Sequence, residues 1–289
     1  MRNTIPIAKY VLACAGVMVA VLLSACNVSV SQSNKVLPTP QWHVGDWWEV
    51  EIWRFPLQIG LPIEMLHWGG PFRERYEVVG IEEVEGYQCY KLKQRVIRED
   101  VQDEGRDYFY LNVADLSMVK VLEEFKKRDG TLYRREWLQT PGYPSAPTHL
   151  SIKWWCVFPL VAGERKGLDG LNEYRFRRAD GSIKTLSPDQ TFVGFPTYQT
   201  QQDVTVENLD IGGKRVEVFR VRFLEPDQNG QLREYANMRW VAGVGFPIYA
   251  WTNKGCPMHM RLVASSQKLP FEIPRLRVEG LKVLDEVER

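Results

Sequence analysis

Trp48-Glu49-Val50-Glu51-Ile52-Trp53 sets the period of the whole chain. Trp48, Val50 and Ile52 fall on every second place, with Glu49 and Glu51 between them. Successive side chains of a strand point to opposite faces, so this alternation predicts a half-buried β-strand. The same period recurs downstream. Residues 75–81 form a second strand candidate. Glu85-Gly86 then punctuates the chain, and 88–97 runs back with Tyr90, Leu92 and Val96 on one face. Further candidates are 108–113, 116–125, 131–138, 173–178, 182–186, 202–209, 215–224, 232–241, 246–251 and 258–265. Asp129-Gly130 and Asp180-Gly181 are hairpin signals, because glycine accepts positive φ and aspartate tolerates it. The stretch from Pro226 to Gly230 reads as a turn between two strands. The one helical candidate is 276–287, with Leu281, Leu284 and Val287 at helical spacing and Gly280 weakening it. The fold expected is all-β: an antiparallel curled sheet, either a half-barrel or two fused β-meanders, with room for one short C-terminal helix.

Composition agrees. The 289 residues include ten Trp, twelve Tyr and twelve Phe, a load of aromatics that favours strands. Lys and Arg number 37 against 36 Asp and Glu. A chain this balanced has no electrostatic case for nucleic acid or for broad attraction to anionic lipid.

The N-terminus is different in kind. Arg2 and Lys9 make a short positive start, Tyr10 to Ala25 carries no charge, and Leu23-Ser24-Ala25-Cys26 closes the run. This is the anatomy of a secretory signal, and the apolar run is too short to span a bilayer. Leu23-Ser24-Ala25-Cys26 also resembles the lipobox of bacterial lipoproteins. The resemblance implies acylation of Cys26, cleavage before it, and attachment to the cell envelope. Asn27, in place of an aspartate, implies the periplasmic face of the outer membrane. The expected division is a signal over 1–25, a lipidated tether over 26–41, a β-rich body over 42–270 and a tail over 271–289. In an oxidising compartment, Cys89, Cys156 and Cys256 leave either one disulfide and a free thiol or three buried thiols.

Within the body, Val84 to Leu92 and Leu209 to Phe219 share a grammar of turn, long strand, loop and strand. Tyr108 follows Gly86, and Tyr235 follows Gly213, at the same spacing. Gly243-Val244-Gly245-Phe246 stands in the second block where Asp115-Leu116-Ser117-Met118 stands in the first. The expectation is two related halves, 42–138 and 150–266, with a seam near 139–170. Three short motifs, Trp42-x-x-Gly45-Asp46-Trp47-Trp48, Phe158-Pro159-Leu160-x-x-Gly163 and Gly243-x-Gly245, resemble bacterial periplasmic β-proteins related to the half-barrel sheets of lipoprotein carriers. That resemblance implies an antiparallel sheet curled around an apolar interior, and no catalytic residues.

Candidate sites are few. Segment 54–72 carries Leu57, Ile59, Leu61, Ile63, Met65, Leu66 and Trp68 among three prolines and three glycines. It is too apolar for a solvated loop and too broken for a central strand: it reads as a lid over an apolar cavity, a loop that dips into the membrane surface, or a loop packed onto the core, and as a lid these residues are the expected contacts to an apolar ligand. Cys256, Met258 and Met260 would share a strand face as soft donors suited to Cu(I), with His259 opposite, but no second cluster supplies further ligands. His43, His67 and His149 sit in no zinc or triad pattern, and there is no Gly-x-Ser-x-Gly. Glu82, Glu83 and Glu85 offer paired carboxylates or a solvated hairpin end. Trp42, Trp47, Trp48 and Trp53 offer either an aromatic platform or core. The reading is a non-enzymatic, lipid-anchored envelope protein holding a lipid or acyl chain, with no cofactor and no metal. The competing reading is a scaffold lipoprotein that binds protein or glycan partners through exposed tryptophans.

Overall fold

The computed structural model describes residues 35–54, 72–97, 106–126, 132–138, 156–167, 174–177, 181–186, 201–252 and 258–272. Among them no helix forms, and sixteen strands do. They are β1 (Val36–Leu37), β2 (Trp47–Arg54), β3 (Phe72–Val84), β4 (Tyr87–Ile97), β5 (Arg106–Asn112), β6 (Met118–Lys126), β7 (Leu132–Leu138) and β8 (Leu160–Val161). The later strands are β9 (Arg165–Gly167), β10 (Tyr174–Arg177), β11 (Ile183–Leu186), β12 (Gln201–Ile211), β13 (Lys214–Pro226), β14 (Leu232–Trp240), β15 (Tyr249–Thr252) and β16 (Met258–Ser265).

Fourteen of them form one antiparallel sheet in the order β11-β10-β7-β6-β5-β4-β3-β2-β16-β15-β14-β13-β12-β9. The sheet curls without closing into a barrel. Register shifts between Val78/Gly80, Tyr110/Leu111, Phe223/Leu224 and Leu262/Ala264 mark where strands bend. Both edges are short, and β9 carries Arg165 and Lys166, features that blunt an open edge.

Register confirms the face assignment. Trp48 pairs with Tyr76, Val50 with Leu262 and Ile52 with Met260, and all six are buried. The next strands add Leu92, Phe109 and Val121 on one side, and Ala250, Met238 and Val221 on the other. This concave face is the core. The convex face is a mesh of ion pairs and cation–aromatic contacts: Arg261–Glu51 at 2.7 Å, Arg239–Glu207 at 2.6 Å, and Arg75 stacked 4.1 Å over Trp47.

β3–β4–β5–β6 and β12–β13–β14–β15 are consecutive meanders, each opening on a hairpin at Gly86 or Gly213. First and last strands meet at the middle of the sheet, β16 beside β2, while 156–163 folds back over the concave face. Some expected boundaries shift. Val36 and Leu37 pair with Val161 and Leu160, so the folded body begins by Lys35 and the tether is shorter than 26–41. Leu116 takes φ 56° and is buried ahead of β6. Phe246 belongs to a buried loop, and the strand expected at 246–251 starts at Tyr249. The helix candidate 276–287 lies outside the described residues, as does Asp129-Gly130, although β6 and β7 do pair as it predicts. Gly181 takes φ 82° between the paired β10 and β11. In the expected turn, Asp227 Oδ1 accepts from the backbone N–H groups of Asn229 and Gln231, bonds that hold its carboxyl below the usual range.

Candidate functional site: the concave face and its aromatic plug

Alternation alone would leave the concave face open to water. Four loops from one end of the sheet cover it: 36–46, 113–118, 156–163 and 241–248. Trp42 packs 5.0 Å from Trp48 and 5.2 Å from Tyr90, ring centre to ring centre. Phe246 stacks on Trp48 at 5.2 Å and leans on Tyr76 at the same distance. Phe158 meets Trp240 edge-on at 4.9 Å. Such pairs add about 0.5–1.5 kcal/mol each beyond the area they bury.

Polar pins fix the plug. Trp42 Nε1 donates to Gly245 O at 2.7 Å, and the Trp42 backbone N–H donates to the Tyr90 hydroxyl at 3.2 Å. Gln202 bonds both backbone groups of Val157, each at 2.9 Å. Gln267 accepts from Gly245 N–H and donates to Asp46, which also accepts from His43 N–H. The three short motifs of the sequence therefore meet here: Gly45, Gly163 and Gly243 take positive φ, and Gly245 is explained by close approach. A Cβ on Gly245 would lie 3.0 Å from Trp42 Nε1, Trp48 Cζ2 and Gln267 Oε1. Gly245→Ala is expected to destabilise the fold by about 2 kcal/mol, since none of the three can retreat without breaking the plug. Urea unfolding of the variant checks this, and an unchanged midpoint would contradict it.

At the plug the concave face is solid core. Among the described residues, cover thins towards the other end of the sheet. There Phe72, Val96 and Asp107 are only half-buried on the same face. Beside them lie Glu74, Gln94 and Glu123, all buried, with Tyr76 donating to Glu74 at 2.6 Å. In register, Gln94 faces Asp107 and Asp107 faces Glu123. These polar residues were missed in the sequence, although the signal was present: each occupies an apolar parity position of its strand.

The other candidates resolve one by one. Leu57, Ile59, Leu61, Ile63, Met65, Leu66 and Trp68 lie outside the described residues, as do Cys26, His67, His149 and Cys256. Met260 is core and His259 is on the convex face, as the alternation predicts. Among the described residues no three His, Cys, Asp or Glu converge as a metal site would need. Cys89 and Cys156 are free and buried. Burial pushes the Cys89 thiol up to about 11 and Cys156 well above its ordinary value, so neither is a nucleophile at neutral pH. Glu82 pairs with Lys91 at 2.7 Å, and Glu85 lies 3.6 and 3.7 Å from Arg175 and Arg177. That is an ion-paired hairpin tip rather than an acid–base pair. The tip reaches β10 because the β3–β4 hairpin bends at Val79-Gly80 onto the convex face, burying Cys89, Tyr110, Val119 and Leu122. Trp42 is buried, while Trp47 and Trp53 are half-buried beneath Arg75 and Arg261, so these three make no open aromatic platform.

His259 lies between Trp53 and Trp251 in register and is joined to Tyr249 through Nδ1 at 2.5 Å. Burial pushes its imidazole down to about 4. Between that value and the ordinary 6.5, the unfolded chain holds a proton that the fold refuses. Stability is therefore full above pH 6.5 and falls as pH drops towards 4, by about 3 kcal/mol from this group. Carboxylates contribute in the same range, so the test is differential. Chemical denaturation at pH 7, 5.5 and 4 should show His259→Gln losing less stability on acidification than the parent. Parallel losses would refute the assignment.

No family model matches the chain, and no curated protein or solved structure matches it either.

Proposed function

We propose that this is a non-enzymatic, lipid-anchored protein of the bacterial cell envelope that holds an apolar ligand, such as an acyl chain, on the concave face of its sheet. The observation that carries the reading is the unequal cover of the concave face among the described residues. It is sealed by the aromatic plug at one end, and Phe72 and Val96 are only half-buried at the other, beside the polar Glu74, Gln94 and Glu123. Leu23-Ser24-Ala25-Cys26 supports the anchor. The plug confines the ligand to the end away from Trp42 and Phe246. Burial of apolar ligand surface there would contribute roughly 25 cal/mol per Å².

Titration of the purified full chain with a fluorescent acyl probe tests this. Saturable binding is expected, and Val96→Asp should abolish it with the far-ultraviolet spectrum unchanged, because Val96 is only half-buried. Equal binding by the variant, or no binding by the parent, would defeat the proposal. The scaffold reading gains nothing from Trp42, Trp47 and Trp53 as the fold places them.

A further inference from the structure

We infer that the plugged end of the sheet lies against the membrane surface, with Val44, Val79 and Ile81 as its lipid-facing contacts. This rests on the anchor reading of Cys26.

The chain enters the fold at that end. Lys35 O accepts from Ala162 N–H, Lys35 pairs with Glu217 near the start of β13, and Thr39 bonds Ala114 in the β5–β6 loop. Lys35 stands nine positions beyond Cys26, a reach of at most about 30 Å even fully extended. A lipid at Cys26 therefore keeps this end within about 30 Å of the bilayer.

The same end carries a cluster of exposed apolar side chains. Val36, Val44, Val79 and Ile81 are between 36% and 61% exposed. Val44 and Val79 are neighbours, because Gly45 N–H donates to Val78 O at 2.8 Å. Ile81 follows them on the hairpin, beyond the bend at Gly80. The acids of the hairpin do not forbid approach. Glu82 is neutralised by Lys91, and Glu85 by Arg175 and Arg177, which leaves Glu83 for the headgroup layer. The opposite end offers Ile97 and Leu232, which serve as internal controls.

The test uses the full lipidated chain in vesicles of phosphatidylethanolamine and phosphatidylglycerol containing bromolipid. Val44→Cys, Ile81→Cys, Ile97→Cys and Leu232→Cys are each labelled with a polarity-sensitive dye in a Cys256→Ala background. The remaining thiols, Cys89 and Cys156, are buried. Quenching is expected at positions 44 and 81, with none at 97 and 232. Equal quenching at all four, quenching only at 97 and 232, or none on vesicle-bound protein would overturn the orientation. The mass of the N-terminal peptide separates the two failures. An acylated, bound chain without quenching at 81 sinks the orientation alone, whereas an unacylated, unbound chain sinks the anchor and the orientation with it.

Discussion

Cys26→Ser is expected to move the protein completely from the membrane fraction to the soluble extract, or to leave it uncleaved. A serine hydroxyl does not replace the thiol that a lipoprotein acylates. The effect is large because the anchor is an all-or-none device: each buried methylene contributes about 0.8 kcal/mol, so a diacylated chain holds and an unacylated one does not. The body should fold as before, since its first described contacts begin at Lys35, nine residues beyond the altered position. Fractionation with a denaturation curve of the released protein reads both halves of the prediction. A cleaved serine variant that stayed with the membrane would overturn the anchor reading.

Trp48→Ala should cost about 3–5 kcal/mol, and Trp47→Ala about 1 kcal/mol. The two residues are adjacent and chemically identical, so the difference isolates the face each one occupies. Trp48 is fully buried between Trp42 and Phe246, at the point where first and last meanders join. Its removal leaves a cavity lined by rings that polar pins hold in place. Trp47 lies on the convex face under the Arg75 guanidinium, where water and neighbouring side chains can close in. Paired urea titrations decide it. Equal losses would mean that the parity of β2 is misassigned.

That parity was the most legible property of the chain. Trp48, Val50 and Ile52 alternate with charged neighbours, and a period of two survives in nearly every strand because the convex face must be wetted. Hairpin turns were legible for a related reason: Gly181 and Glu85-Gly86 supply the positive φ that tight connections need. What alternation cannot carry is the third dimension of the loops. Phe246 and Leu116 read as strand residues because they are apolar and flank strands. Their burial comes from folding back onto Trp48 and its neighbours, a long-range event with no local period. The strap from Lys35 to Gln41 looked like tether for the converse reason, since only two of its residues pair and both partners, Leu160 and Val161, lie beyond residue 150. Glu74, Gln94 and Glu123 were hidden by expectation, being polar residues at positions counted as apolar. The bent β3–β4 hairpin had a weak cue in Val79-Gly80, where the alternation breaks.

The most direct test of the account is mass spectrometry of the protein purified from its native membrane. The N-terminal peptide should begin at Cys26 and carry acyl chains. The folded chain should also release a stoichiometric apolar ligand that Val96→Asp protein lacks. An unmodified N-terminus together with a ligand-free body would contradict it.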